Sequence, residues 1–299
     1  GLKIYGIKND EVPLVNFNLT IQGGQLLESM DKLGLSNFTA QLMNKGTKDK
    51  TVKELEESIQ ELGASIYVSS NTESINIAVT TLSKNFKSTL LLVEEILLSP
   101  RFELDEFNLL KKAIISSIRQ QQASPNSVAR KAYSELIYGN DNIRSKNISG
   151  NINSVKSITL EDVKLFYDNF ISPSVAKILV VGNIEKKDLL ASLSSLNLNW
   201  KKKKVNIPKY KTPDAPSKSS VYFYDIPNSK QSILQFGAPA LAATDKDYYP
   251  ATVMNYILGG GGFASRLTQE LREGKGYTYG INSRFSGTKA KGLFTISSG

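Results

Sequence analysis

One order of elements runs through this chain twice: strand, strand, helix, helix, strand, strand, first from residue 1 and again from residue 219. In the first pass, residues 2–8 and 13–22 alternate apolar and polar side chains like a hairpin pair, with Val15, Phe17, Leu19 and Ile21 on one face. Gly23-Gly24 ends the second strand. Leu35 to Asn44 reads as a helix closed by Lys45-Gly46, and Thr51 with Glu54 opens another through a capping box that Gly63 ends. Residues 64–71 and 74–82 form a second antiparallel pair around Asn71-Thr72-Glu73. Such a repeat fits a sheet with helices laid on it in each half.

Helices follow at 86–98, at 103–123 and after Pro125, and Thr159 caps a further one with Asp162 at the third position. Val175 to Val181 is nearly all apolar and predicts a central strand buried on both faces. Glu185 to Leu196 is helical. Residues 201–218 then change character, with Lys201–Lys204, three prolines and few large apolar residues, and read as a solvated linker. The second pass predicts strands at Val221–Tyr224 and Ser232–Phe236, helices at Asp247–Leu258 and Phe263–Arg272, and strands near 277–286 and 291–297. The organisation expected is therefore a first lobe at 1–200, a linker at 201–218 and a second lobe at 219–299. The second pass stops well short of the first one's length, as in a fragment lacking its last helices.

Composition narrows the chemistry. The chain has no cysteine and no histidine. Thiolate chemistry, disulfides and Ser-His-Asp or Cys-His catalysis are excluded. A zinc site built by this chain alone would have to be all carboxylate, which is not how zinc is usually held. The net charge of +9 has one dense basic run, with no interleaved aromatics of the kind nucleic-acid binding uses. The longest apolar stretch, Thr89 to Leu98, carries Glu94 and Glu95 and is too short to span a bilayer.

The segment from Leu258 to Gly280 holds the densest pattern: Gly259, Gly260, Gly261 and Gly262, then Phe263, then Arg272 at a helix end and Tyr279 at a strand start seven positions later. Four glycines in a row permit positive φ and close backbone approach to a ligand, either in a plain turn or in a strand-like path. An arginine and a phenol both donate to developing negative charge.

Gly34-Leu35-Ser36-Asn37-Phe38-Thr39-Ala40-Gln41-Leu42-Met43-Asn44-Lys45-Gly46-Thr47 resembles the active-site helix of the pitrilysin/insulinase-like zinc metallopeptidases, the inverted zincins of family M16. Their motif is H-x-x-E-H. Here Asn37 and Gln41 stand at the two zinc-histidine positions and Ala40 at the catalytic glutamate. Ser116 and Ser117 fall where the family shows a glutamate pair that includes the third ligand. Gly-Gly-Gly-x-x-Ser-Arg-Leu, Leu-Arg-Glu and Gly-x-x-Tyr resemble the family's second-half signature, whose Arg/Tyr pair is present as Arg272 and Tyr279.

The resemblance implies an α+β fold of the LuxS/insulinase-like metallohydrolase kind. It would have two homologous lobes of mostly antiparallel sheet covered by helices, the second incomplete. It also implies a non-catalytic subunit of a heterodimeric zinc metallopeptidase, with no metallopeptidase activity of its own. The chain would bind no cofactor and would meet zinc in a partner subunit carrying H-x-x-E-H. Arg272 and Tyr279 would contact unstructured peptide substrates in trans, with Gly259–Gly262 and Phe263 lining the path and Asn37, Ala40 and Gln41 vestigial. The alternative is a structural or peptide-binding module with no proteolytic role. Neither nucleic acid nor a membrane span is expected. The Lys/Asn-rich composition and the start at Gly1 suggest a bacterial periplasmic or envelope protein, with the cytoplasm as the other setting.

Overall fold

The computed structural model describes residues 2–210, 213–214, 218–227 and 229–299. The chain divides into two compact units. One runs up to Ile118 and includes Asn147–Pro208; the other joins Arg119–Lys146 to Lys209–Gly299.

In the first unit the sheet is built from β1 (Lys3–Lys8), β2 (Leu14–Gln22), β3 (Ser65–Ser70), β4 (Ser74–Leu82) and β5 (Ala176–Gly182), in the order β1-β5-β2-β4-β3. Only β1 and β5 are parallel. Leu19 lies between Ile77 on β4 and Ile178 on β5, and Phe17 between Val79 and Val180. These side chains all point to one face and are buried. Helices α1 (Leu35–Met43), α2 (Val52–Glu61), α3 (Phe86–Leu98), α6 (Ile152–Ser157) and α7 (Leu160–Phe170) belong to this unit, with the short α8 (Lys186–Ser192) and α9 (Ser194–Asn199) after β5; α4 (Leu104–Gln122) belongs to it up to Ile118, and α5 (Pro125–Tyr138) belongs to the second. Phe38, Leu42, Phe86, Leu90, Val93, Phe107, Ile114 and Phe166 join the buried strand residues in one core.

Local chemistry starts the helices where expected. Glu54 N donates to Thr51 Oγ1 at 3.3 Å and Thr51 N to Glu54 Oε2 at 2.8 Å. Thr159 and Asp162 repeat the reciprocal cap at 3.1 and 2.7 Å. β5 departs from expectation. It is central by pairing but buried on one face only, since Lys177 and Leu179 turn outward to an open side of the sheet. The apolar run fixed the strand, whereas two-sided burial needs a second cover. The lysine run also differs from a free linker: Ser172 and Ser174 donate to the Lys203 carbonyl at 3.0 and 2.6 Å, and Lys203 N returns a bond to Ser172 Oγ at 2.9 Å.

The second unit holds β6 (Leu234–Pro239), α10 (Tyr248–Asn255), α11 (Arg266–Thr268), β7 (Ile281–Phe285) and β8 (Leu293–Ser298). Its sheet order, β6-β8-β7, all antiparallel, repeats β2-β4-β3 of the first. The duplication read from the sequence is thus a duplication of pairing. The strand expected at Val221–Tyr224 does not form, and Val221 and Phe223 are 98% and 88% exposed. Its counterpart in the first unit is β1, which among the described residues pairs with the later strand β5 alone. Among the described residues no strand follows β8.

Candidate functional site

The sequence pointed to two places, one in each unit. The first is α1. Its N-terminus enters through Gly34, which has φ +95, and a Cβ there would lie 2.7 Å from the Ser149 carbonyl oxygen. The first turn is held by Glu28, which the sequence reading did not single out. Its Oε2 accepts from Gly34 N and its Oε1 from Ser36 N, both at 2.8 Å. Burial pushes the Glu28 carboxyl up to about 7, against the pull of the Ser36 and Gly34 amides. A carboxylate favoured in its neutral form by folding stabilises less once it must ionise. Stability should therefore fall as pH rises from about 4.5 to about 7, by on the order of 3 kcal/mol. Glu28→Gln should lose that slope, measured as urea unfolding of both proteins across the window.

Asn37 and Gln41 stand one turn apart on α1 and are partly exposed, while Ala40 is 0% exposed. Ser36 Oγ meets Ser70 Oγ of the edge strand β3 at 2.6 Å. Ser116 and Ser117 sit on the exposed side of α4, beside the buried Ile114 and Ile118. Among the described residues no group of three or more His, Cys, Asp or Glu stands close enough to hold a metal ion. Two amides, a methyl group and two hydroxyls do not fit zinc, whose sites use imidazole, thiolate and carboxylate.

The second place is the stretch 256–280. The glycines do not follow a strand-like path. Tyr256–Gly260 form a π-helical turn that continues α10, and Gly262–Ala264 a 3₁₀ turn. Gly259 is buried against β7, where an added Cβ would meet Ser283 Oγ at 2.5 Å and Leu267 Cδ1 at 2.8 Å. Gly262 alone of the four has positive φ, +60. Two residues missed in the sequence fasten this packing. Asn255 Nδ2 donates to the Ser283 carbonyl at 3.0 Å, and Ser283 Oγ donates to Asn255 Oδ1 at 2.6 Å. A polar Asn inside Val-Met-Asn-Tyr-Ile-Leu was the available signal. Gly259→Ala should cost about 1–3 kcal/mol by overpacking, read from thermal unfolding of the second unit.

The single helix expected at Phe263–Arg272 is broken into pieces: a 3₁₀ turn, one α turn and a π segment, Gln269–Gly274. The widened turn ends with Tyr277 N donating to the Leu271 carbonyl at 2.9 Å, and Gly276 turns the chain at φ +63. Tyr279 falls in this return loop and not at a strand start, since β7 begins at Ile281. Thr278 Oγ1 accepts from Gly280 N at 3.1 Å, engaging a backbone donor that a longer ladder would use, and from Ser298 Oγ at 2.8 Å. The return brings Tyr279 back over Arg272. The guanidinium carbon is 4.9 Å from the Tyr279 ring centroid and 4.5 Å from that of Phe263. Arg272 is thus within cation–π distance of two rings, Tyr279 and Phe263, that are 84% and 67% exposed. Its Nε lies 3.4 Å from Glu273 Oε1.

Family models agree with both halves. The insulinase (peptidase family M16) model matches residues 4–148, and the peptidase M16 inactive-domain model matches residues 157–299. The chain belongs to the M16 peptidase family. Within M16 it is similar to the Helicobacter pylori "non-peptidase homolog YmxG", 25% identical over 93% of this chain and 64% of that one. A Bacillus subtilis "uncharacterized zinc protease YmxG" is 24% identical over 100% of this chain and 71% of its own length. This chain thus spans under two thirds of the Helicobacter relative. The M16 inactive domain from Pseudomonas fluorescens superposes with a TM-score of 0.91 at 25% identity, covering 100% of this chain and 72% of that one. These M16 likenesses agree with an α+β fold.

Proposed function

We propose that the chain is a non-catalytic M16 subunit that presents Arg272 and Tyr279 to a peptide held at the zinc site of an H-x-x-E-H partner. The observation that carries this reading is an asymmetry. The zinc positions hold Asn37, Gln41 and Ala40, while Arg272 and Tyr279, seven residues apart, lie in ring-stacking contact at 4.9 Å. Free drift of an unused fold gives no reason for one constellation to go and the other to stay packed. The exposed phenol and guanidinium would donate to the peptide backbone and to the oxyanion that forms when water adds to it. Zinc chemistry would belong to the partner. The name of the Helicobacter relative and the inactive-domain match support the non-catalytic part of this reading.

The test is to isolate the protein from its native cells with whatever co-purifies. The complex and the lone chain are then assayed for chelator-sensitive cleavage of unstructured peptides. Activity in the complex alone, with an H-x-x-E-H chain in it, supports the proposal. A complex with neither such a chain nor activity replaces it with the structural or peptide-binding module.

A further inference from the structure

The open face of the first unit's sheet divides in two. On β2 and β4 it is amide and hydroxyl, and these groups bond one another. Thr80 Oγ1 donates to Asn16 Oδ1 at 2.8 Å, and Thr20 Oγ1 to Asn18 Oδ1 at 3.3 Å. On β1 and β5 it is apolar and cationic. Their parallel register sets Tyr5 beside Leu179, Ile7 beside Val181 and Lys3 beside Lys177. Tyr5, Ile7 and Leu179 are 55%, 64% and 49% exposed. Large apolar side chains gathered on one open face mark an interaction site, where single scattered ones do not.

The charges select the partner. Lys3 and Lys177 are neighbours on adjacent strands, and among the described residues neither makes a side-chain hydrogen bond or ion pair. Lys8 on the same strand does have a partner, Glu185 at 2.6 Å. Like charges side by side on a sheet cost stability, so the fold gains nothing from the pair. None of the five strands contains an acidic residue. The complement of this face is therefore a carboxylate next to an apolar stripe. A second copy would bring two more lysines against these. A lipid surface would press on the amide and hydroxyl half as well. A helix is about 10–12 Å across, which matches the roughly 10 Å covered by two strands and leaves the other half bare.

We infer that the outward face of β1 and β5 docks an acidic amphipathic helix of a partner protein. Its apolar stripe lies on Tyr5, Ile7 and Leu179, and its carboxylates meet Lys3 and Lys177. The surface belongs to the first unit, and the inference does not rest on Arg272 or Tyr279.

The test is made on the whole protein in its native cells. The photoreactive residue p-benzoylphenylalanine replaces Tyr5 in one version and Leu179 in another, and the cross-linked segment is mapped by mass spectrometry. Both positions should map to one helical segment of another protein, with Asp or Glu within a turn of its apolar stripe. Made as a peptide, that segment should bind the purified chain saturably, and more weakly as salt is raised. Lys3→Gln combined with Lys177→Gln should weaken it by about tenfold and remove most of the salt dependence. Leu179→Ser should weaken it to a similar degree. The lysine variant should be at least as stable to urea as the parent, which separates lost docking from lost folding. Cross-links only to a second copy, to lipid, to a segment without acidic residues, or to nothing would overturn the inference. So would peptide binding that is unchanged in the lysine variant or in Leu179→Ser.

Discussion

Arg272→Ala is expected to lower the turnover of the proposed complex with an H-x-x-E-H partner by about 10²–10³ while leaving assembly unchanged, because that is the usual effect of removing one oxyanion donor. The loss should appear in kcat and in kcat/KM together, since the interaction is stronger in the transition state than in bound substrate. Little of it should appear in stability. Arg272 is packed by ring faces and one ion pair with Glu273, not by the buried core. The isolated variant should unfold within about 0.5 kcal/mol of the parent. Tyr279→Phe keeps the ring over the guanidinium and removes only the hydroxyl, so it separates stacking from donation. Turnover that survives both substitutions means the pair is not donated across the interface, and the chain is then a scaffold or a peptide-binding module.

How far the sequence reached follows from the range of the physics involved. Val15, Phe17, Leu19 and Ile21 alternate cleanly because one face of β2 is core and the other open, so period two is visible without any partner. The Thr51–Glu54 and Thr159–Asp162 caps were legible because both partners lie within four residues. What depended on distant partners was not. Val221–Tyr224 has the composition of a strand, but its counterpart β1 is paired by β5, far along the chain. Glu28 caps α1 from outside the helix through a turn that no periodicity marks. The π turns at 256–260 and 269–274 cannot be told from α turns by apolar spacing, yet the second of them leads Tyr279 back over Arg272. The resemblance to the M16 second-half signature picked out that pair; the contact between them came from a widened turn.

On the opposite constellation, Phe38→Ala should cost about 3–5 kcal/mol, the range for deleting a buried aromatic side chain. Phe38 is 0% exposed and its ring lies 4.9 Å from that of Phe107 on α4, so the deletion leaves a cavity where α1 meets α4. Phe38→Leu should cost less, because most of the volume remains. The change should register as a lower urea midpoint with an unchanged m-value. A loss under about 1 kcal/mol would mean that α1 is not anchored through this contact. Asn37 and Gln41, on the same helix, are partly exposed, and substitutions there should stay within about 0.5 kcal/mol. Asn37 and Gln41 face away from the packing that fixes α1, so the residue types at these two positions can change while Phe38, Leu42 and Met43 hold the helix where it is.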